Sequence, residues 1–308
     1  MIEPPPAVVA LAEARSRARA GRDFDAADAL RDQITAASWA IVDEPGGAWR
    51  LDPIVEEAPG TQRLQPAAVS SRLAEPATDD VSVHWVCEGW PGDVVRAIAS
   101  FRAHQAARGV RFVVTDVSGL AGGVSGDDIE VVPLVEGTGW GAAMNVGLRL
   151  ATGRIVLIMD PSIEAVGDVF GPLEQALQDP GVGIAGPFGI VTHDLRRFDE
   201  APDPGPCDAI EGYCMALRRE VLASVEGFDE RFRWYRTADI ELSFRVKDRG
   251  LRTEVVPLPV VKHEHRMWFE TPPAERARWS KRNFYRFLDR WRDRWDLVLD
   301  PRPPAGPG

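Results

Sequence analysis

From Val81 onward the chain alternates short apolar runs with amphipathic stretches, and this rhythm restricts the fold more than any other feature. Residues 81–86, 110–115, 129–134 and 155–159 are apolar runs of strand length, while 93–107 and 142–151 carry apolar residues at helical spacing. Strands joined through helices run parallel, and the crossover helices cover the sheet faces. The pattern therefore predicts an α/β fold with a mainly parallel sheet flanked by helices. In such sheets ligands gather at the carboxyl ends of the strands. Asp116 and Asp160 fall just beyond two of them.

With 308 residues the chain suits one large domain plus an appendage, and an apolar fraction of 44% is enough for a real core. Residues 1–52 read as a helical hairpin followed by a small β-hairpin. Asp23 can cap the second helix, Phe24, Ala27, Leu30 and Ile34 recur at helical spacing, and Pro45-Gly46-Gly47 makes a turn between apolar runs. Residues 53–79 lack periodicity and read as a linker. Residues 80–265 form the main domain, 266–300 a helical extension and 301–308 a disordered tail. The net charge of −11 argues against nucleic acid as the main partner. Cys87, Cys207 and Cys214 show no metal spacing and suit a reducing cytosol. The chain opens without a signal-peptide pattern, and no apolar run reaches the ~20 residues of a membrane span, so any membrane contact is expected to be peripheral.

Two segments carry the chemistry. Gly227-Phe228-Asp229-Glu230-Arg231-Phe232 is followed by Ala238-Asp239-Ile240-Glu241-Leu242-Ser243-Phe244-Arg245, which puts an Asp at the mouth of an apolar helical run. Asp239 there is a candidate general base or simply a helix cap. Earlier in the chain stand Val113-Val114-Thr115-Asp116-Val117-Ser118, the glycine-rich run from Gly137 to Gly147, and Asp160-Pro161-Ser162 after the last apolar strand. In this order the motifs resemble the family 2 glycosyltransferases of GT-A fold over about residues 80–290. The resemblance implies inverting transfer of a sugar from a nucleoside diphosphate sugar to a hydroxyl of a saccharide or lipid-linked acceptor of polysaccharide, glycolipid or cell-envelope type. It makes Asp239 the base. It gives nucleotide-sugar binding to Asp116, Gly139, Asn145 and Asp160, and the acceptor side to Gly212, Asp229, Glu230 and Arg245.

The family's DxD-type motif holds Mn²⁺ or Mg²⁺ against the diphosphate, but here its last acid is Ser162, a weaker ligand for a hard cation. Three explanations stand. Asp160, Glu164 and His263 hold the metal in a modified site, or the metal is weakly held or absent, or catalysis is lost while the fold is kept as a binding scaffold. Asp116 has an alternative as a loop cap, Arg245 as a structural ion pair and His263 as a solvated loop residue. The aromatic and basic stripe from Trp268 to Trp295 either packs on its own domain or lies on an anionic membrane, a peripheral contact through 266–298. Residues 11–51 resemble the end of the helical C-terminal region of cysteinyl-tRNA synthetases, which raises a tRNA-linked role. With six Arg against nine Asp/Glu over residues 1–52, a phosphate backbone would be poorly gripped, and no nucleic-acid partner is expected.

Overall fold

The computed structural model describes residues 4–37, 39–43, 48–53, 62–119 and 121–302. Helices α1 (Pro6–Ala20) and α2 (Phe24–Ala36) pack against a two-stranded sheet of β1 (Trp39–Asp43) and β2 (Trp49–Pro53). Asp23 caps α2 by accepting the Ala26 N–H. Val8, Ala12, Ile34 and Trp39 form a small core, beside which Arg15 is buried and makes two hydrogen bonds to Asp43 at 2.7 and 2.9 Å. Phe24, expected on the apolar face, is 60% exposed because it sits at the first turn, outside the α1–α2 contact. The Pro45-Gly46-Gly47 turn lies outside the described residues.

The main body carries, in chain order, β3 (Asp79–Cys87), α3 (Pro91–Ala103), β4 (Val110–Asp116), β5 (Ile129–Pro133), α4 (Trp140–Arg149), β6 (Gly153–Met159), β7 (Ile163–Ala165), α5 (Phe170–Ala176), β8 (Val182–Gly186), β9 (Gly189–Thr192), β10 (Phe198–Glu200), β11 (Gly205–Cys207), β12 (Ala209–Ile210), β13 (Cys214–Arg218), α6 (Arg219–Val225), α7 (Ala238–Lys247), β14 (Arg252–Val255), β15 (Val260–Lys262), α8 (Arg266–Glu270) and α9 (Pro273–Trp291). An eight-stranded sheet runs in the order β11-β14-β8-β13-β6-β3-β4-β5. Strands β6, β3, β4 and β5 are parallel, as the alternation of strands and helices requires. The sheet becomes mixed where β13 inserts antiparallel between β6 and β8.

Both faces are covered. On one side α3 places Val94, Ala97, Ile98 and Phe101 against the sheet at i, i+3, i+4, i+7 spacing. On the other, Ala143, Met144 and Leu148 of α4 meet Leu217, Leu222, Phe228 and Leu242. Two large side chains of β3 have packing roles. Trp85 fills the α3 side against Phe101 and Phe112 at 6.0 and 5.8 Å, and His84 is wholly buried, its pKa pushed down to about 3 by burial. It is a neutral core residue.

The stretch read as a linker is not free as far as Asp79. Residues 54–61 lie outside the described part, but from Gln62 on the chain is strapped to the body. Leu64 exchanges backbone hydrogen bonds with Pro133 and Val135 at 2.9 and 3.0 Å, and Arg72 pairs with both oxygens of Glu130 at 2.9 and 3.1 Å. Arg149 donates to the Pro66 carbonyl, and the buried Arg219 to those of Arg72 and Glu75. These contacts are polar and backbone-directed, so they leave no apolar period to read.

Among the described residues no helix is long and apolar enough to cross a membrane. The C-terminal α9 docks through Asn283, Phe287 and Trp291 onto Phe244 and Leu195. The last residues, 303–308, where a disordered tail is expected, lie outside the described part.

The strap gives a test by truncation. A chain starting at Gln62 keeps every contact just named and is expected to melt within about 3 °C of the full chain. One starting at Asp79 loses the Arg72 and Arg219 partners and should melt more than ~5 °C lower, since ~1 kcal/mol moves Tm by ~2–4 °C at this domain size. Equal melting of the two truncated chains in a calorimeter would show that the strap contributes no stability.

Candidate active site

At the carboxyl ends of β3 and β6 a cleft of about 540 Å³ opens between the sheet, the start of α7 and the flank of α9. Its floor holds Asp160, just after β6, and Asp239, at the second position of α7. The sheet delivers the first, and a strained turn delivers the second. Thr237, immediately before α7, adopts a left-handed conformation at φ 71°, unusual for a β-branched residue, and this sets the direction in which the helix starts.

Asp239 does not cap its helix in the ordinary way. One oxygen accepts the neighbouring Ile240 N–H at 2.9 Å, and the other accepts the Gly212 N–H at 2.8 Å from the turn before β13. The second bond comes from a different element and fixes the carboxylate in the cleft. Burial pushes the Asp239 carboxyl up from its ordinary value, and the Gly212 and Ile240 N–H groups pull it partly back. A carboxylate destabilised by burial yet held in place is suited to accept a proton.

Asp160 is held in the opposite sense. Burial alone would raise its pKa, but His265 Nε2 at 2.9 Å and the Ser162 N–H at 2.8 Å outweigh it and hold the carboxyl below its usual value. The imidazole of His265 lies edge-on to Tyr235 and Tyr213, with ring centroids 4.5 and 5.5 Å away. Here the structure corrects the sequence reading: the histidine that meets Asp160 is His265, not His263. His263 pairs instead with Glu164 at 2.6 Å, across the short antiparallel pair β7–β15. Alternation along an extended segment sends residues two apart to the same side only when the strand continues. The strand ends at Lys262, so strand alternation does not decide which His reaches the cleft.

Three other residues singled out in the sequence are engaged by the protein itself in this structure. Asp116 is buried with all its capacity turned to its own loop, accepting from the Ser118 N–H and hydroxyl, the Gly119 N–H and the Ala121 N–H. It does not line the cleft. Of the glycine-rich loop, the N–H groups of Trp140 and Gly141 already donate to the carbonyls of Arg233 and Phe232, and Gly139 packs so closely on Arg233 that a Cβ would come within 3.0 Å. Asn145 is buried and clamps the 227–230 turn: its oxygen accepts the Phe228 N–H at 2.7 Å, and its nitrogen donates to the Phe228 carbonyl at 2.8 Å and to Glu230 at 3.3 Å. Gly227, at φ 73°, leaves room for that amide.

Arg245 pairs with Glu241 at 2.8 Å and donates to the Val225 and Gly227 carbonyls, and Asp229 pairs with Arg231. The Gly-Phe-Asp-Glu signature thus braces the cleft from behind, and of the acceptor-side residues only Gly212 lines it.

Residues that the sequence did not single out as site residues complete the cleft. Glu211 is pushed up to about 7 by burial and by Asp239, and Glu88 to about 8 by burial and by Asp160. Arg196, Arg236 and Lys281 also line it. They come from loops and from α9, where no motif marks them. Among the described residues no three His, Cys, Asp or Glu side chains converge as a metal cage.

Two measurements probe this arrangement. Asn145→Ala leaves both polar groups of Phe228 without their partner inside the core, and should lower unfolding stability by ~2–6 kcal/mol, at ~1–3 kcal/mol for each unsatisfied group. A loss below about 1 kcal/mol in urea titration would mean the clamp is dispensable. Glu211 has a folded pKa raised above its unfolded 4.5, so its contribution is full at acid pH and is lost as pH rises from 4.5 through about 7. Glu211→Gln should flatten the fall in Tm across that window, and an unchanged profile would count against the raised value.

The family model described as glycosyl transferase family 2 matches residues 114–238. The chain is 35% identical over 101 residues to the O-antigen biosynthesis protein RfbC of Myxococcus xanthus, covering 30% of this chain and 8% of that protein. It is 26% identical over 183 residues to the pre-mycofactocin glycosyltransferase of Mycobacterium tuberculosis, covering 52% and 38%. The aligned parts thus span well under half the length of these curated relatives. In fold, the chain resembles the crystal structure of GalNAc-T7 with UDP, GalNAc and Mn²⁺, with a TM-score of 0.55 at 16% identity over 72% of this chain and 49% of the other. Residues 114–238 are therefore similar to glycosyl transferase family 2, within a chain whose α/β fold resembles that of GT-A glycosyltransferases.

Proposed function

We propose that this chain transfers a hexosyl or deoxyhexosyl group from a nucleoside diphosphate sugar to a hydroxyl acceptor with inversion, and that Asp239 is the general base. The observation that carries the reading is the placement of Asp239: half-buried, raised in pKa, oriented by the Gly212 N–H and open to the cleft that also holds Asp160. In this mechanism the acceptor hydroxyl attacks the anomeric carbon. Asp239 takes its proton as the new C–O bond forms, and the nucleoside diphosphate leaves from the opposite face.

The Asp160–His265 pair offers one carboxylate oxygen and one imidazole nitrogen to a divalent ion, in exchange for their mutual contact. An ion held by two protein ligands would take its remaining ligands from diphosphate oxygens and water, as Mg²⁺ often does. Bound there, it would stabilise negative charge on the leaving group. Ser162 is buried beside this pair.

The similarity to an O-antigen biosynthesis protein supports an acceptor of polysaccharide, glycolipid or cell-envelope type. Three free, buried cysteines fit a cytoplasmic setting. Arg278 and Arg282 of α9 are exposed and do not line the cleft, which supports peripheral contact of residues 266–298 with an anionic membrane face. For the N-terminal unit we favour protein contact over nucleic acid, since Arg15 and Arg19 are both engaged by Asp43.

A second reading, a binding scaffold without catalysis, is favoured by Ser162 and by Ala238 beside the base. One variant separates them. Asp239→Asn keeps the shape and cannot take the proton, so transfer to the best acceptor of a saccharide and glycolipid panel should fall ~10²–10⁴-fold. Affinity for the nucleoside diphosphate, measured by calorimetry, should stay within about threefold. Retention of more than about a tenth of the activity would remove Asp239 from the role. A wild-type protein that binds a sugar nucleotide but transfers to nothing would favour the scaffold.

A further inference from the structure

Many arginines of the body are engaged: Arg245 and Arg290 with Glu241, Arg252 with Asp179, Arg294 with Asp248 and Asp296. Three cations of the cleft break this pattern. The side chains of Arg196 and Lys281 make no ion pair or hydrogen bond among the described residues, and the Arg236 guanidinium, which forms no ion pair, lies over the Trp268 ring at 4.9 Å. They come from separate elements, the β9–β10 hairpin, the approach to α7 and the flank of α9. All lie in the second half of the chain. The earlier elements contribute Val86, Glu88, Trp140, Met159, Asp160 and Pro161 to the same cleft, and no cation.

Among the described residues Arg196 and Lys281 have no polar partner and Arg236 has a ring and the nearby charges of Glu211 and Asp239, whereas the carboxylates Asp160 and Asp239 are each held by donors of their own. An anionic group on a ligand would complete the wall with charge-assisted bonds, and a guanidinium fork suits a planar or tetrahedral oxyanion. Phe198, Phe284 and Tyr285 add ring surface to the lining of the same cleft. Apolar surface with a few convergent charges is the lining expected for a sugar that carries one charged substituent.

We propose that Arg196, Arg236 and Lys281 form an anion subsite that selects an acceptor bearing a phosphate or carboxylate group. This rests on the transferase reading for the word acceptor, but the binding it predicts does not. The same oxyanion chemistry exists in the diphosphate of a donor. All three cations come from the part of the chain that carries Asp239, and the strand ends around Asp160 supply none, so we assign the subsite to the acceptor.

The experiment is calorimetric titration of the full chain with glucose 6-phosphate, glucuronate and glucose, and separately with UDP and GDP. The charged sugars should bind at least roughly tenfold more tightly than glucose. The double variant Arg196→Ala/Lys281→Ala should erase that difference while changing UDP or GDP affinity less than about threefold. Melting curves check that the variant is folded, and Lys281→Gln alone, on an exposed helix face, should give part of the same loss.

Equal affinity for charged and neutral sugars, or no binding of the charged ones, overturns the proposal. A loss of nucleotide affinity as large as the loss of sugar-phosphate affinity also overturns it, by assigning the wall to the donor diphosphate. Charged-sugar preference without any nucleotide binding would keep the subsite and sink the transferase reading instead.

Discussion

The arrangement depends on one side-chain amide. Asn145, on the helix that follows the glycine-rich loop, makes a two-way hydrogen bond with the backbone of Phe228. It thereby joins two halves of the chain 83 residues apart in sequence. Without that pairing the 227–230 turn would bury a donor and an acceptor with no partner, at a cost comparable to a good fraction of a domain's net stability. With it, the turn is fixed, and the residues after it run into the left-handed Thr237 and the start of α7. The position of Asp239 in the cleft is inherited from this clamp.

Around the clamp the same device recurs, a cationic side chain ordering backbone carbonyls. Arg245 holds Val225 and Gly227 from one side, Arg219 holds the strap at Arg72 and Glu75 from another, and Arg218 reaches the carbonyls of Leu177, Asp179, Pro180 and Val182. Loops that cannot satisfy their own carbonyls are tied down this way without secondary structure. It also explains why so few arginines are left over. The exceptions in the cleft are conspicuous against that background.

Much of the fold was legible in the sequence, because the period of apolar residues reports burial directly. Strands β3, β4, β5 and β6 and helices α3 and α4 lie where the pattern placed them, with ends shifted by a few residues. The antiparallel β13 was less visible, since a short apolar run does not declare its direction. The site was legible in part. Asp160, Gly212 and Asp239 meet in one cleft, but Asp116, Asn145, Arg245 and the 229–230 pair turned out to face the protein itself. Motifs mark residues that a fold needs, and a buried clamp and a ligand contact look alike in a linear chain. His265 was passed over for His263 because the difference lies in where a three-residue strand stops. Arg196, Arg236 and Lys281 were invisible for a simpler reason: nothing local distinguishes an arginine that will lack a partner from one that will find it.

The docking of α9 has a consequence of its own. Asn283 donates to the carbonyls of Trp234 and Arg236 at 2.9 and 2.8 Å, so the helix that supplies one wall of the cleft is fastened to the segment that leads into α7. Occupancy of the cleft and attachment of the helix are then two equilibria sharing one set of contacts. By reciprocity, whatever grips Lys281 and Arg236 together slows the opening of this terminal unit, and whatever holds the unit's outer face tightens the grip inside. A surface that captures α9 from outside would therefore act on the cleft from a distance, without touching Asp239.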